Sequence, residues 1–307
     1  MLKPSKFGRV LLPFITPFKE NEEVDYDTYA KLINYAIDND MLDTVICTGT
    51  TGEFTTLTFD ERVKLFETAV KAVNGRCPII AGTGCGSTKE TVALTKAAVA
   101  AGIKTCMVVG PYYCKPTQQG IYEHYMRVAN ETDADILIYN IPIFTGENIE
   151  PSTVARLVKD SDKFIGIKDE SGINPVQILD FHYATKDIRP DFLIYNGDDI
   201  MLLPTVACGA MGVVSGGSMI NGKEVKKFFE LWEQGKNDEC LEIFKKNFLL
   251  CRCFCGGRTH PNPKLRVAIE LATGIKVGPA RRPLDTPTAE EQAGIKDLLD
   301  QLGYLKK

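Results

Sequence analysis

Phe164-Ile165-Gly166-Ile167-Lys168-Asp169 is a short apolar run that ends in a charged pair. Such a run reads as a strand buried in a parallel sheet, and Lys168 stands where that strand would surface at its carboxyl end. In an α/β barrel the carboxyl-terminal edge of the strands is where the chemistry is carried. A lysine with apolar neighbours on its N-terminal side can be desolvated, which lowers its pKa, and the neutral amine attacks a ketone to form a Schiff base. The same six residues also suit an ordinary lysine that snorkels out of a strand end. The rest of the chain has to separate the two readings.

Outward from this stretch, apolar and β-branched segments recur with helical stretches between them. In order they are Val10–Thr16, Thr44–Thr48, Pro78–Gly82, Thr105–Gly110, Ile136–Asn140, Phe164–Lys168, Phe192–Asn196 and Gly212–Ser215. Amphipathic runs lie between them at Tyr26–Asp38, Asp60–Val73, Thr88–Ala101, Gly120–Glu131, Pro151–Lys159 and Asn174–Tyr183, with apolar residues three and four apart. Strands alternating with helices of this length predict a parallel sheet covered by helices. Eight repeats favour closure into a (β/α)8 TIM barrel over 1–220, with an open doubly wound sheet as the alternative. Thr58 before Asp60, the capping-box pattern Ser87-Thr88-Lys89-Glu90 and Pro151-Ser152 punctuate the helix starts. From Asn221 the strand signal stops, and Lys223–Gln234, Asn237–Leu250 and Ala289–Leu302 read as helices. The segment 221–307 is expected to pack on the barrel rather than form an independent domain, with Pro261–Pro263 and Pro279–Pro287 as loops.

The composition sets limits on function. The 307 residues are 44% hydrophobic and 25% charged, an ordinary globular balance. A formal net charge of -4 advertises no basic surface, so neither a nucleic acid nor an anionic membrane is expected as partner. No stretch approaches the roughly 20 apolar residues of a spanning helix, and Met1–Arg9 leads into no signal-peptide core, which reads as cytoplasmic. Ten cysteines in a chain of this size are most simply small buried hydrophobes. Cys251, Cys253 and Cys255, with His260 nearby, lack the C-x-x-C spacing of structural zinc sites, so no metal is expected there.

Several strand ends carry candidate chemistry. Thr48-Gly49-Thr50-Thr51-Gly52-Glu53-Phe54 places two hydroxyl residues between glycines, a loop that either gathers amides and hydroxyls around a small anion or simply turns into a capped helix. Ile138-Tyr139-Asn140-Ile141-Pro142 puts Tyr139 at the same rim as Lys168, one strand away, either as a proton relay or as a packed phenol. Gly110-Pro111-Tyr112-Tyr113, Asn196-Gly197-Asp198-Asp199 and the loop after Val214 end neighbouring strands. Gly82-Thr83-Gly84-Cys85-Gly86-Ser87 reads better as a tight turn into a capped helix than as a phosphate site. The three histidines, His124, His182 and His260, form no metalloenzyme pattern, and neither a dinucleotide fingerprint nor a G-x-S-x-G elbow is present.

Taken together, Gly49-Thr50-Thr51-Gly52-Glu53, Pro111-Tyr112-Tyr113 with Lys115-Pro116-Thr117-Gln118, Tyr139-Asn140-Ile141-Pro142, Gly166-Ile167-Lys168-Asp169 and Gly197-Asp198-Asp199 are similar in order and spacing to one family. Over nearly its whole length the chain resembles the dihydrodipicolinate synthase and N-acetylneuraminate lyase family of pyruvate-dependent class I aldolases. The resemblance implies Lys168 as the Schiff-base lysine, Tyr139 as the acid/base, and Thr50 with Thr51 as the anchor of the pyruvate carboxylate. It implies that Tyr113 reaches into a neighbouring subunit's site, that the backbone of Val214 contacts substrate, and that the assembly is a homotetramer built as a dimer of dimers. Gly197 lies in a loop whose glycine permits close approach of backbone to ligand.

One position departs from the family's pattern. The synthases that make the lysine precursor usually carry an arginine after the Tyr-Asn-Ile-Pro motif, and Phe144 occupies its place in Ile143-Phe144-Thr145-Gly146. Without that bidentate donor, recognition of aspartate semialdehyde should weaken. The expected activity is therefore aldol cleavage of a 2-keto-3-deoxy sugar acid or sialic acid, by a covalent imine on Lys168 and without metal or organic cofactor. The alternatives are a related dehydratase, 4-hydroxy-tetrahydrodipicolinate synthase and a barrel that binds a keto acid without catalysis.

Overall fold

The computed structural model describes residues 5–255 and 260–306, except the side chain of Cys255. Eight strands, β1 (Val10–Pro13), β2 (Thr44–Cys47), β3 (Ile79–Gly82), β4 (Thr105–Val109), β5 (Asp135–Asn140), β6 (Phe164–Asp169), β7 (Leu193–Asn196) and β8 (Gly212–Val214), pair in parallel and in sequence order, and β8 closes on β1. The helices are α1 (Tyr26–Asp38), α2 (Phe59–Val73), α3 (Thr88–Ala100), α4 (Gln118–Glu131), α5 (Pro142–Thr145), α6 (Pro151–Asp160), α7 (Gln177–Thr185), α8 (Leu202–Ala207), α9 (Ser218–Glu233), α10 (Asn237–Cys255), α11 (Asn262–Thr273) and α12 (Ala289–Leu302). The closed barrel settles the alternative of an open sheet.

The two faces of the strands separate by alternation, as the two-residue period of a strand requires. Leu11, Ile46, Ile80, Met107, Leu137 and Tyr195 pack together inside the barrel. Leu12, Val45, Ala81, Val108, Ile138 and Ile167 turn outward and meet the helices. Both faces are buried, which is why these segments read as continuous apolar runs. β1 stops at Pro13 rather than Thr16, and the chain beyond it runs to the C-terminal segment, where Phe18 N–H donates to the Val277 carbonyl at 3.1 Å.

Two local expectations are corrected. The Ser87–Glu90 capping box does not form, since Ser87 makes no side-chain cap; the Thr91 hydroxyl accepts from Cys85 N–H at 3.1 Å and donates to the Ser87 carbonyl at 3.0 Å, closing the turn from inside α3. Capping boxes stand instead at α2, between Thr58 and Glu61, and at α12, between Thr288 and Glu291. Pro261–Pro263 is not a loop but the start of α11, because proline fits the first helical turn, where its missing N–H has no acceptor to lose. The helix α9 begins at Ser218 and bends at Asn221, the residue from which the C-terminal segment is counted. The C-terminal helices lie against the barrel, with α9 against β1 and α10 against the Asp199–Met201 turn.

Candidate active site

Tyr139 on β5 and Lys168 on β6 are register partners, so the same residue step that turns one into the barrel mouth turns the other. The Lys168 ammonium lies 3.8 Å from the centroid of the Tyr139 ring, close enough for a cation–π contact. Lys168 is buried at 5% exposure. Its Nζ is 2.9 Å from Oε2 of Glu170, and the Tyr139 hydroxyl donates to the same oxygen at 2.7 Å. On its other side the Tyr139 hydroxyl meets Thr50 Oγ1 at 3.3 Å. An amine, a carboxylate, a phenol and an alcohol thus form one continuous chain. Burial first, and the Glu170 charge second, hold the Tyr139 phenol protonated well beyond its usual range.

Glycine 197 makes room for this group. A Cβ there would stand 2.5 Å from Lys168 Cε and 2.8 Å from Glu170 Cβ, so any larger residue would displace both side chains. The neighbouring Asp198 carboxyl is pushed up to about 7, by burial and then by the Glu170 charge. Its Oδ1 accepts from Ile200 N–H at 3.0 Å. Burial also raises the Asp199 carboxyl, whose Oδ2 accepts from Gly217 N–H at 3.1 Å. Asp169 points away from the mouth to Asn140 at 2.8 Å, Ser171 at 2.9 Å and Gln177 at 3.1 Å, and burial lifts its carboxyl to about 6.

The loop after β2 forms a tight 3-10 turn over Thr50–Gly52. The first amides of such a turn have no acceptor within it, so Thr50 and Thr51 can offer N–H groups as well as hydroxyls. Glu53 follows in the left-handed conformation, with φ 56°, and its carboxylate is anchored by Arg266 of α11 at 2.9 Å through Nε and 2.6 Å through Nη2. Side-chain exposures of 3% and 1% make this an almost wholly buried ion pair. Asn262 donates to the Thr51 carbonyl at 2.7 Å and to Glu53 at 3.1 Å. The C-terminal helices therefore hold the threonine turn from behind.

A cleft of about 80 Å³ opens here, bounded by Thr50, Thr51, Tyr139, Lys168, Gly197 and Val214, with Glu170, Asp198 and Asp199 on one side. Phe144 on α5 and His260 close it, their rings stacked at 5.6 Å and 28°. Behind that pair lies a second hollow of about 160 Å³, bounded by Phe54, Val109, Tyr112, Ile141 and the same Phe144 and His260. Burial lowers the His260 pKa, which favours the neutral ring against Phe144. Larger grooves at other faces, about 530 Å³ beside Arg9 and Trp232 and about 680 Å³ beside Lys6 and Arg189, hold no comparable chain of reactive groups.

The expected residues Lys168, Tyr139, Thr50, Thr51, Gly197, Val214 and Phe144 all line the cleft. Tyr113 does not; it is 96% exposed, with φ 70°, in the segment between β4 and α4. Glu170 and the clamp of Asn262 and Arg266 were missed from sequence. Glu170 was findable, because two residues beyond Lys168 a strand places a side chain on the same face. His260, weighed in sequence only as a metal ligand, belongs to the cleft. Among the described residues no group of three or more His, Cys, Asp or Glu is arranged to hold a metal ion. Cys251 is buried and Cys253 half-buried, while the Cys255 side chain lies outside the described residues. Among the described residues no helix is long and apolar enough to cross a membrane.

Comparison with known proteins gives the same family as the motifs. The chain is 37% identical to the 4-hydroxy-tetrahydrodipicolinate synthase of Oceanobacillus iheyensis over 301 residues, covering 98% of this chain and 99% of that one. It is 36% identical to the enzyme of that name from Bacillus subtilis over 300 residues, covering 96% and 99%. The crystal structure of dihydrodipicolinate synthase from Aquifex aeolicus superposes with a TM-score of 0.90 at 36% identity, covering 97% of this chain and 99% of that one. The sequence model of the Dihydrodipicolinate synthetase family matches residues 6–302, and this chain belongs to that family of pyruvate-dependent class I aldolases.

Proposed function

We propose that this chain joins pyruvate to aspartate semialdehyde through a Schiff base on Lys168, the reaction of a 4-hydroxy-tetrahydrodipicolinate synthase. The observation that carries the reading is the Lys168 ammonium at the barrel mouth, with the Tyr139 hydroxyl bridging Thr50 and Glu170 beside it. Thr50 and Thr51 hold the pyruvate carboxylate, and Val214 and Gly197 shape the floor of the cleft. Once the keto carbon is bound to Nζ, the iminium draws electrons from the methyl carbon, which loses a proton and becomes a nucleophilic enamine. The enamine attacks the aldehyde, and Tyr139 supplies the proton to the alkoxide that forms. The imine is itself the electron sink, so the reaction uses neither metal nor organic cofactor. The names of the relatives support this choice of aldehyde.

A second reading keeps the first half of the chemistry and changes the partner. Phe144 stands where the synthases carry an arginine, and among the described residues the cleft lining contains no arginine and no lysine besides Lys168. That favours an aldolase that cleaves a 2-keto-3-deoxy sugar acid or sialic acid, whose polyol chain needs no guanidinium. We further infer a homotetramer, a dimer of dimers in which Tyr113 completes a neighbour's site, and a cytoplasmic location. The near-complete exposure of Tyr113 supports the first of these, as does the exposed apolar stripe of Val176, Leu179 and Tyr183 beside α7.

Borohydride reduction with pyruvate tests the shared step. A mass increase on Lys168 is the expected result, and an unlabelled lysine overturns both readings. Turnover of pyruvate with aspartate semialdehyde, set against cleavage of 2-keto-3-deoxygluconate and N-acetylneuraminate, then selects between them. Strong synthase activity sets aside the inference drawn from Phe144, and its absence with sugar-acid cleavage sets aside the synthase.

A further inference from the structure

We propose that Glu170 is a catalytic residue, the carboxylate that carries protons between Lys168 and the oxygen of the bound keto acid while the imine forms. The inference rests on the Schiff-base reading of Lys168. Among the described residues, Glu170 Oε2 is the one oxygen within hydrogen-bond reach of both the Lys168 amine, at 2.9 Å, and the Tyr139 hydroxyl, at 2.7 Å. Its backbone is pinned, since Glu170 N–H donates to the Asn140 carbonyl at 2.9 Å across the end of β5. The absence of a side chain at Gly197 leaves the space in which Lys168 and Glu170 lie together. With a side-chain exposure of 24%, the carboxylate also opens onto the cleft that receives substrate.

The proton balance explains why a group is needed there. An ammonium cannot attack a carbonyl, so one Nζ proton passes to Glu170 before the C–N bond forms. The π electrons of the C=O bond move to oxygen, which receives that proton from Glu170 through the Tyr139 hydroxyl and gives a carbinolamine. The nitrogen then passes a second proton to Glu170, which delivers it by the same path to the carbinol hydroxyl. The C–O bond breaks, water leaves, and the nitrogen lone pair closes the iminium. Lysine ammonium and ketone become iminium and water, with Glu170 returned to its starting charge. The chain from amine to phenol is complete within one subunit, without Tyr113. The other ionisable groups around Glu170 are Asp169, Asp198, Asp199 and His260, and among the described residues the Lys168 amine pairs with the Glu170 carboxylate instead.

The readout is the rate of imine formation with pyruvate, followed by borohydride trapping and intact mass at successive times. Glu170→Gln keeps the size of the side chain but takes no proton, and the expected fall in rate is about 10² to 10⁴-fold. The ion pair taken alone predicts the reverse, because removing a counter-charge makes the ammonium give up its proton more readily. A rate in Glu170→Gln equal to or above that of the unaltered protein therefore overturns the proposal. Glu170→Ala supplies the second measurement, with thermal melting as the check on folding. Added formate should restore part of its rate by standing in the vacated space, and a slow variant that neither formate nor acetate accelerates makes Glu170 a positioning residue only. Failure of the unaltered protein to trap pyruvate is a separate result, and it removes the Schiff-base reading rather than the role of Glu170 within it.

Discussion

Lys168 and Tyr139 meet because parallel pairing of β5 with β6 puts them in register at the barrel mouth. Each was legible as a residue at a strand's end, and their contact followed once the two strands were taken as neighbours. Glu170 was lost by ending that strand at Lys168, one residue before its end at Asp169 and two before the carboxylate on the same face. At this scale Asp198 carries a pH prediction. Its folded pKa of about 7 lies above the ordinary 3.8, so between those values the folded chain keeps a proton that the unfolded chain releases. Rising pH across that window therefore costs stability. Asp198→Asn removes the titration and retains an amide oxygen for the Ile200 N–H. Melting measured at about pH 5 and about pH 8 should show the variant gaining on the unaltered protein at the higher value, since protonation of the aspartate is lost over that range. An equal difference at both values would contradict the raised pKa.

At the scale of elements, α11 ties the threonine turn to the C-terminal segment. Glu53 was legible only as the last residue of a Gly-Thr-Thr-Gly-Glu motif, since nothing local shows that its carboxylate is buried against a helix more than 200 positions away. The helix itself was hidden by Pro261 and Pro263, which mark a loop or a first turn equally well until the residues after them are placed. Removing one member of a buried ion pair leaves the other charge without a partner, which costs about 3 to 5 kcal/mol. Arg266→Ala should therefore lower the unfolding free energy by about that much, measured by denaturant titration. It should also raise KM for pyruvate, because the turn carrying Thr50 and Thr51 loses its backing. A variant with unchanged stability would show that the pair is solvated in solution.

The whole molecule adds a prediction about assembly. Val176, Leu179 and Tyr183 stand exposed at intervals of three and four along one face of α7, which would be an unusual surface for a lone protomer. Leu179→Lys combined with Tyr183→Lys should reduce the sedimenting mass from four copies to two, with the barrel intact by circular dichroism. An unchanged tetramer would place the contact elsewhere, and a monomer in the unaltered protein would remove the assembly altogether. The repeat of strand and helix, the two buried faces of each strand and the residues at strand ends were all determined by the sequence, because two-residue and helical periods are local and count along the chain. Closure of β8 on β1, the shared oxygen of Glu170, the stacking of Phe144 on His260 and the burial of Glu53 on Arg266 were decided only by the tertiary structure. Each depends on a distance between residues far apart in sequence or on which way a side chain turns at a strand's end, and such distances are set by packing the whole barrel.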